Sequence, residues 1–160
     1  MATMTQVYLA FYKGRAEHHG FARLSDWLTR TITRGEYSHC ELAVDLGSDE
    51  YRCYSSSVRD DGVRCKVMPL PVKNWDLVPV EIPEALVDEF FNCRKGMPYD
   101  WFGAIGFVVL SRGRTEKYFC SEFCAECLGL TDPWRYSPNM LSAIALSAPS
   151  VFHYASEIHG

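Results

Sequence analysis

Near residue 83 the hydrophobic pattern of this 160-residue chain changes period. Before that point polar and apolar residues tend to alternate. In Ser38 to Asp45, Cys40, Leu42 and Val44 point one way and His39, Glu41, Ala43 and Asp45 the other, which is the period of a strand. Gln6 to Tyr12, Tyr51 to Ser57, Val63 to Met68 and Trp75 to Ile82 are further strand candidates. Gly47-Ser48-Asp49 and Asp60-Asp61-Gly62 read as turns between them, and Pro69 with Pro71 ends the run that begins at Val63. One helix is expected within this half, over Phe21 to Thr33, where Phe21, Leu24, Leu28 and Ile32 keep helical spacing and Gly35 stops it. After residue 83 helices dominate: Pro83 to Cys93, Tyr99 to Leu110, Cys120 to Leu128, and Asn139 to Leu146 behind a Ser137-Pro138 cap. Strands first and helices later predict an α+β fold, an antiparallel β-sheet with packed helices.

A chain of this length holds one core, so residues 1–160 are expected to form a single domain. Hydrophobic residues at 48% and charged residues at 22% argue for folding rather than disorder. A net charge of −4 argues against a nucleic-acid partner. The longest apolar stretch, Trp101 to Leu110, is about half of the roughly 20 residues a membrane-spanning helix needs, so no integral membrane contact is expected. Met1 to Gln6 lacks the layout of an export signal, and the seven cysteines are odd in number. Together they predict reduced thiols in a cytoplasmic compartment. The oligomeric state is left open.

Three of those cysteines lie in Phe119-Cys120-Ser121-Glu122-Phe123-Cys124-Ala125-Glu126-Cys127, spaced C-x3-C-x2-C. The same spacing holds a four-iron cluster in radical S-adenosylmethionine enzymes. Here it comes late in the chain, and no Gly or Pro loop interrupts it to wrap a metal. Its positions i, i+4 and i+7 form one helix face. Paired zinc knuckles are also missing. No metal or other cofactor is expected. Cys124 and Cys127 read as small core residues. Cys120 opens the helix, where free backbone N–H groups and the helix dipole favour a thiolate, with Lys117 shortly before it. The same N–H groups can hold the oxyanion of a tetrahedral intermediate.

A thiol nucleophile needs a base, most often an imidazole. His18 and His19 fall in a loop, and His153 and His159 lie near the end of the sequence. His39, within an amphipathic strand, is the candidate. The ring in turn needs an orienting group. Ser55, Ser56 or Ser57 on the next strand could supply it, as could Glu41, two residues along the same strand face; strand register is not legible to one residue.

Four segments carry a resemblance: Ser38-His39-Cys40-Glu41-Leu42; Cys53-Tyr54-Ser55-Ser56-Ser57 with Gly62-Val63-Arg64; Gly96-Met97-Pro98-Tyr99-Asp100-Trp101; and Tyr118-Phe119-Cys120-Ser121-Glu122. Over roughly residues 6–145 the chain resembles the circularly permuted papain-like cysteine hydrolases of the NlpC superfamily, in the YiiX/YebB-like branch known from bacteria and tailed phages. The histidine strand precedes the cysteine helix, as permutation requires. The resemblance implies Cys120 as nucleophile, His39 as base and a third polar residue on the following strand. Ser55 stands there, where the superfamily often has Glu or His, and Glu41 is left room to help. Tyr99, with Tyr54 and Tyr118 of the matching segments, is a substrate-binding candidate. Asp100 is read mainly as stabilising the start of its helix. The implied activity is a thiol-dependent peptidase or amidase acting on a peptide-like or acylated substrate. A lipid acyl hydrolase or acyltransferase is an alternative, and so is a binding or virion-associated protein that keeps the fold without turnover. The implied location is the cytoplasm of a bacterial or phage-infected cell.

Overall fold

The structure, a computed structural model, describes residues 5–14, 30, 34–98, 119–147 and 152. Of the expected helix over Phe21 to Thr33 only Arg30 falls among them, and the expected helix over Tyr99 to Leu110 lies outside them. Tyr99, Asp100, Lys117 and Tyr118 also lie outside, with His18, His19, His153 and His159.

The five expected strands are present: β1 (Val7–Tyr12), β2 (His39–Asp45), β3 (Glu50–Ser57), β4 (Gly62–Pro69) and β5 (Trp75–Val80). They form one antiparallel sheet in the order β4-β3-β2-β1-β5. Three α-helices are described: α1 (Glu84–Arg94), α2 (Cys120–Cys127) and α3 (Pro138–Ser147). The fold is thus α+β, with its strands first and these helices after them.

The sheet curls. β4 and β5 stand at opposite ends of the strand order, yet only residues 70–74 join them. A flat sheet would hold those edges about 19 Å apart, nearly the reach of a fully extended link of that length. The link is not extended, because the Asn74 N–H donates to the Pro71 carbonyl at 2.8 Å in a turn. The edges must therefore approach each other. Side-chain alternation then gives the sheet two apolar faces. Val7, Leu9, Phe11, Cys40, Leu42, Val44, Val78 and Val80 face the helices. Ala10, Ala43, Cys53, Leu70 and Trp75 cluster on the other side, with Tyr8, Tyr12, Tyr51 and Met68 against them. Both faces of β2 are covered, and only its end residues His39 and Asp45 are not fully buried.

Two ties fix the helices that matter to the site. Gly62, at φ +143°, lets β4 close on the segment after α1: the Val63 N–H donates to the Met97 carbonyl at 2.8 Å, and a Cβ on Gly62 would lie 2.1 Å from that oxygen. At the start of α3, Ser137 Oγ accepts from the Met140 N–H at 3.1 Å, the expected N-cap bond. The Asn139 carboxamide clasps the Tyr37 backbone, accepting from its N–H at 2.9 Å and donating to its carbonyl at 2.8 Å. That clasp holds the chain two residues before His39.

Candidate active site

The site forms where two strands part. The Asp45 N–H donates to the Gln6 carbonyl at 3.0 Å, so the backbone groups of odd-numbered β2 residues face β1 and those of even-numbered residues face β3. The β2–β3 pairing runs from Asp45↔Tyr51 to Leu42↔Tyr54 and stops there. Cys40 therefore has a backbone N–H and a carbonyl turned toward β3 without a ladder partner. Each finds another partner. The carbonyl accepts from Ser55 Oγ at 2.8 Å. The N–H donates to the sulfur of Cys120, which also hydrogen-bonds the Cys40 side chain.

Cys120 is brought there by α2. Seven of the eight residues of this helix are buried, including Ser121, Glu122, Phe123, Cys124 and Ala125. Small side chains let such a helix press close to the sheet, and Cys124 and Cys127 fill core positions as their spacing suggested. Phe119 is the N-cap residue and makes no side-chain cap bond. The first backbone amides of α2 lie at the positive end of its dipole, the end that carries the Cys120 sulfur.

His39 completes the pair. It shares a hydrogen bond and a charge interaction with Cys120. Its Nε2 lies 3.0 Å from Glu41 Oε1, so Nδ1 is the ring nitrogen left for the sulfur. The Trp75 ring stands edge-on to the imidazole at a centroid distance of 6.4 Å. The imidazole is 21% exposed and Cys120 5%, so solvent reaches this side of the site through the ring.

Glu41 is 1% exposed and accepts bidentately from Arg64, at 2.7 Å from Nη1 to Oε2 and 2.6 Å from Nη2 to Oε1. Arg64 Nε donates in turn to Asp60 at 3.0 Å, and Asp60 also takes Lys66. The electrostatics follow from this chain of charges. Burial pushes the Glu41 carboxyl up, but Arg64, and after it His39, carry it down to about 2. Burial pushes His39 down, but the Cys120 sulfur and Glu41 more than reverse this and carry it up to about 10. The hydrogen bond from Cys40 holds the Cys120 thiol well below its usual range against the opposing effect of burial, and His39 adds to it. Both shifts favour a thiolate beside an imidazolium, with a carboxylate behind the ring.

Two sequence expectations need correction. Ser55 does not orient His39: it is fully buried and its hydroxyl proton goes to the Cys40 carbonyl, with Ser56 O at 3.4 Å. Carried onward, the β2–β3 register sets Ser55 opposite Glu41 and Ser57 opposite His39. Ser57 Oγ instead accepts from the Arg59 N–H at 3.2 Å, capping a short turn of helix. Tyr54 does not reach the site. It is 1% exposed, its ring packs on Phe91 at 5.2 Å, and its hydroxyl donates to Asp88, anchoring α1. Tyr99 and Tyr118 lie outside the described residues.

Two participants were missed from sequence. From sequence Cys40 reads only as an apolar-side strand residue, and Arg64 carries no role. A basic residue on an otherwise strand-like run beside the Asp60-Asp61-Gly62 turn was the available hint for Arg64, but nothing local connects it with Glu41, 23 residues away. Among the described residues no group of three His, Cys, Asp or Glu side chains could hold a metal ion. The chain matches no protein-family model and no curated protein.

Proposed function

We propose that the protein is a cysteine hydrolase that cleaves an amide or ester through an acyl-enzyme on Cys120. The observation that carries this reading is the Cys120–His39–Glu41 arrangement at the start of a buried helix. In the proposed reaction the Cys120 thiolate attacks the substrate carbonyl. The α2 amides bind the oxyanion. The His39 imidazolium gives its proton to the leaving amine or alcohol. His39, now neutral, takes a proton from water, which attacks the thioester and frees Cys120. Glu41 keeps the ring oriented and stabilises its charged form, which a serine hydroxyl would do less well.

The order of histidine strand before cysteine helix, the curled antiparallel sheet and the helix packed on it support a permuted papain-like fold of the NlpC type. A serine in the third place would favour a fold kept without turnover, because a hydroxyl does not stabilise an imidazolium as a carboxylate does. With Glu41 on the ring and Ser55 spent on Cys40, that feature no longer weighs against catalysis. Peptide-like amides are the preferred substrates by resemblance, and acylated lipids the second.

The test is a panel of peptide amides and lipid esters assayed with the native chain and with Cys120→Ala. Hydrolysis of one class, lost in the variant, is the expected result. Turnover of neither class, or turnover that survives in Cys120→Ala, would refute the proposal.

A further inference from the structure

Three thiols meet where α2 packs on β2. The Cys40 side chain hydrogen-bonds those of both Cys120 and Cys124, and the three residues are 0%, 5% and 0% exposed. The proposed hydrolysis uses only one of these sulfurs covalently. A serine at position 40 would be the stronger hydrogen-bond donor to a thiolate. What a thiol adds there is the ability to bond to an oxidised sulfur.

We propose that Cys40 is the resolving cysteine for Cys120, so that a hydroperoxide converts the pair into a reversible Cys40–Cys120 disulfide that silences the site. The proposal rests on the thiolate assigned to Cys120 above, but not on hydrolysis. In the first step the Cys120 thiolate attacks one peroxide oxygen and the O–O bond breaks. The departing alkoxide or hydroxide takes the proton of the His39 imidazolium, leaving a Cys120 sulfenic acid and an alcohol or water. In the second step the Cys40 sulfur attacks the sulfenic sulfur, and the S–OH bond breaks. The Cys40 proton leaves with the hydroxyl as water. The peroxide is reduced by two electrons and the two thiols are oxidised by two.

The geometry selects this pair among the three sulfurs. Cys120 and Cys124 are one turn apart on the same helix, where Cβ atoms lie about 5–6 Å from each other. A disulfide needs about 3.5–4.5 Å, so that bond would require the helix to distort. Cys40 approaches from the strand and already hydrogen-bonds the Cys120 sulfur. Of the two α2 cysteines it touches, only Cys120 is joined by His39, which supplies the proton for the first step.

The test needs the full chain and no substrate. The chain is treated with a small excess of hydrogen peroxide and analysed by intact mass and peptide mapping. Loss of two hydrogens, a cross-linked pair of peptides carrying Cys40 and Cys120, and full recovery of Cys120 alkylation by dithiothreitol are expected. Cys124→Ser should behave identically. Cys40→Ser should instead gain two or three oxygens on Cys120 and recover nothing with dithiothreitol. A native chain that gains those oxygens, or links other cysteines, while Cys120 alkylates faster than the exposed Cys93, would overturn this inference and leave the proposed function standing. Alkylation of Cys120 no faster than Cys93 would overturn both.

Discussion

A carboxylate with 1% of its surface exposed must have its charge answered from within the protein, and Glu41 is answered twice, by Arg64 and by His39. In the proposed reaction Glu41 is a positioning residue for the imidazole. Glu41→Gln removes the charge behind the ring while keeping its shape. The expected result is slower iodoacetamide alkylation of Cys120 and an alkaline limb of the alkylation profile displaced downward from about 10, the pH at which native His39 loses its proton. Ser55→Ala is the contrasting change. It leaves the buried Cys40 carbonyl short of a donor, so stability should fall by about 1–3 kcal/mol in urea unfolding. The alkaline limb should stay where it was, because Ser55 does not touch the ring. Equal displacement of that limb in both variants would reject the division of roles between Glu41 and Ser55.

At the scale of elements, α2 is buried almost all round, and the pattern of its cysteines was legible in advance as a packing stripe. What could not be read was how close it comes to β2. That closeness depends on the β2–β3 ladder ending at Leu42↔Tyr54, which frees the Cys40 amide for the sulfur. The tie between β4 and the end of α1 is another such contact, since it depends on a backbone carbonyl 35 residues from Gly62 in the chain. Gly62→Ala puts a methyl group against the Met97 oxygen at a backbone angle that L-residues rarely adopt. A loss of about 1–3 kcal/mol is expected in urea unfolding. An unchanged midpoint would mean that this junction yields freely.

For the whole molecule the ionised pair sets a pH window. His39 is raised from 6.5 to about 10, so its contribution to stability is complete below about 6.5 and is lost as pH rises through about 10. Cys120 is depressed below 9.0, so its contribution is complete above about 9 and is lost as pH falls through the folded value. Above both about 6.5 and the folded Cys120 value, and up to about 9, the two slopes oppose each other, because folded and unfolded states then bind equal numbers of protons at the pair. Glu41, lowered from 4.5 to about 2, adds stability that is present above about 4.5 and is lost as pH falls through about 2. Calorimetric Tm should therefore show a level stretch that ends near pH ~9, with decline on both sides of it. In Cys120→Ala the decline above pH ~9 should shrink, since His39 no longer has a thiolate to hold its proton. A native Tm that peaks sharply inside that interval would contradict the ionised pair.

The amino-acid sequence by itself determined the class of the fold, because the periods of strand and helix are local properties of neighbouring side chains. It also singled out Cys120 and His39, whose chemistry shows in residue type and in position at the start of an element. Only the tertiary structure decided which group answers the imidazole, which donors hold the sulfur and which tyrosine is locked in the core. Those partners lie across strands or on another helix. They meet because the sheet curls and one ladder ends early, and a local period carries no information about either.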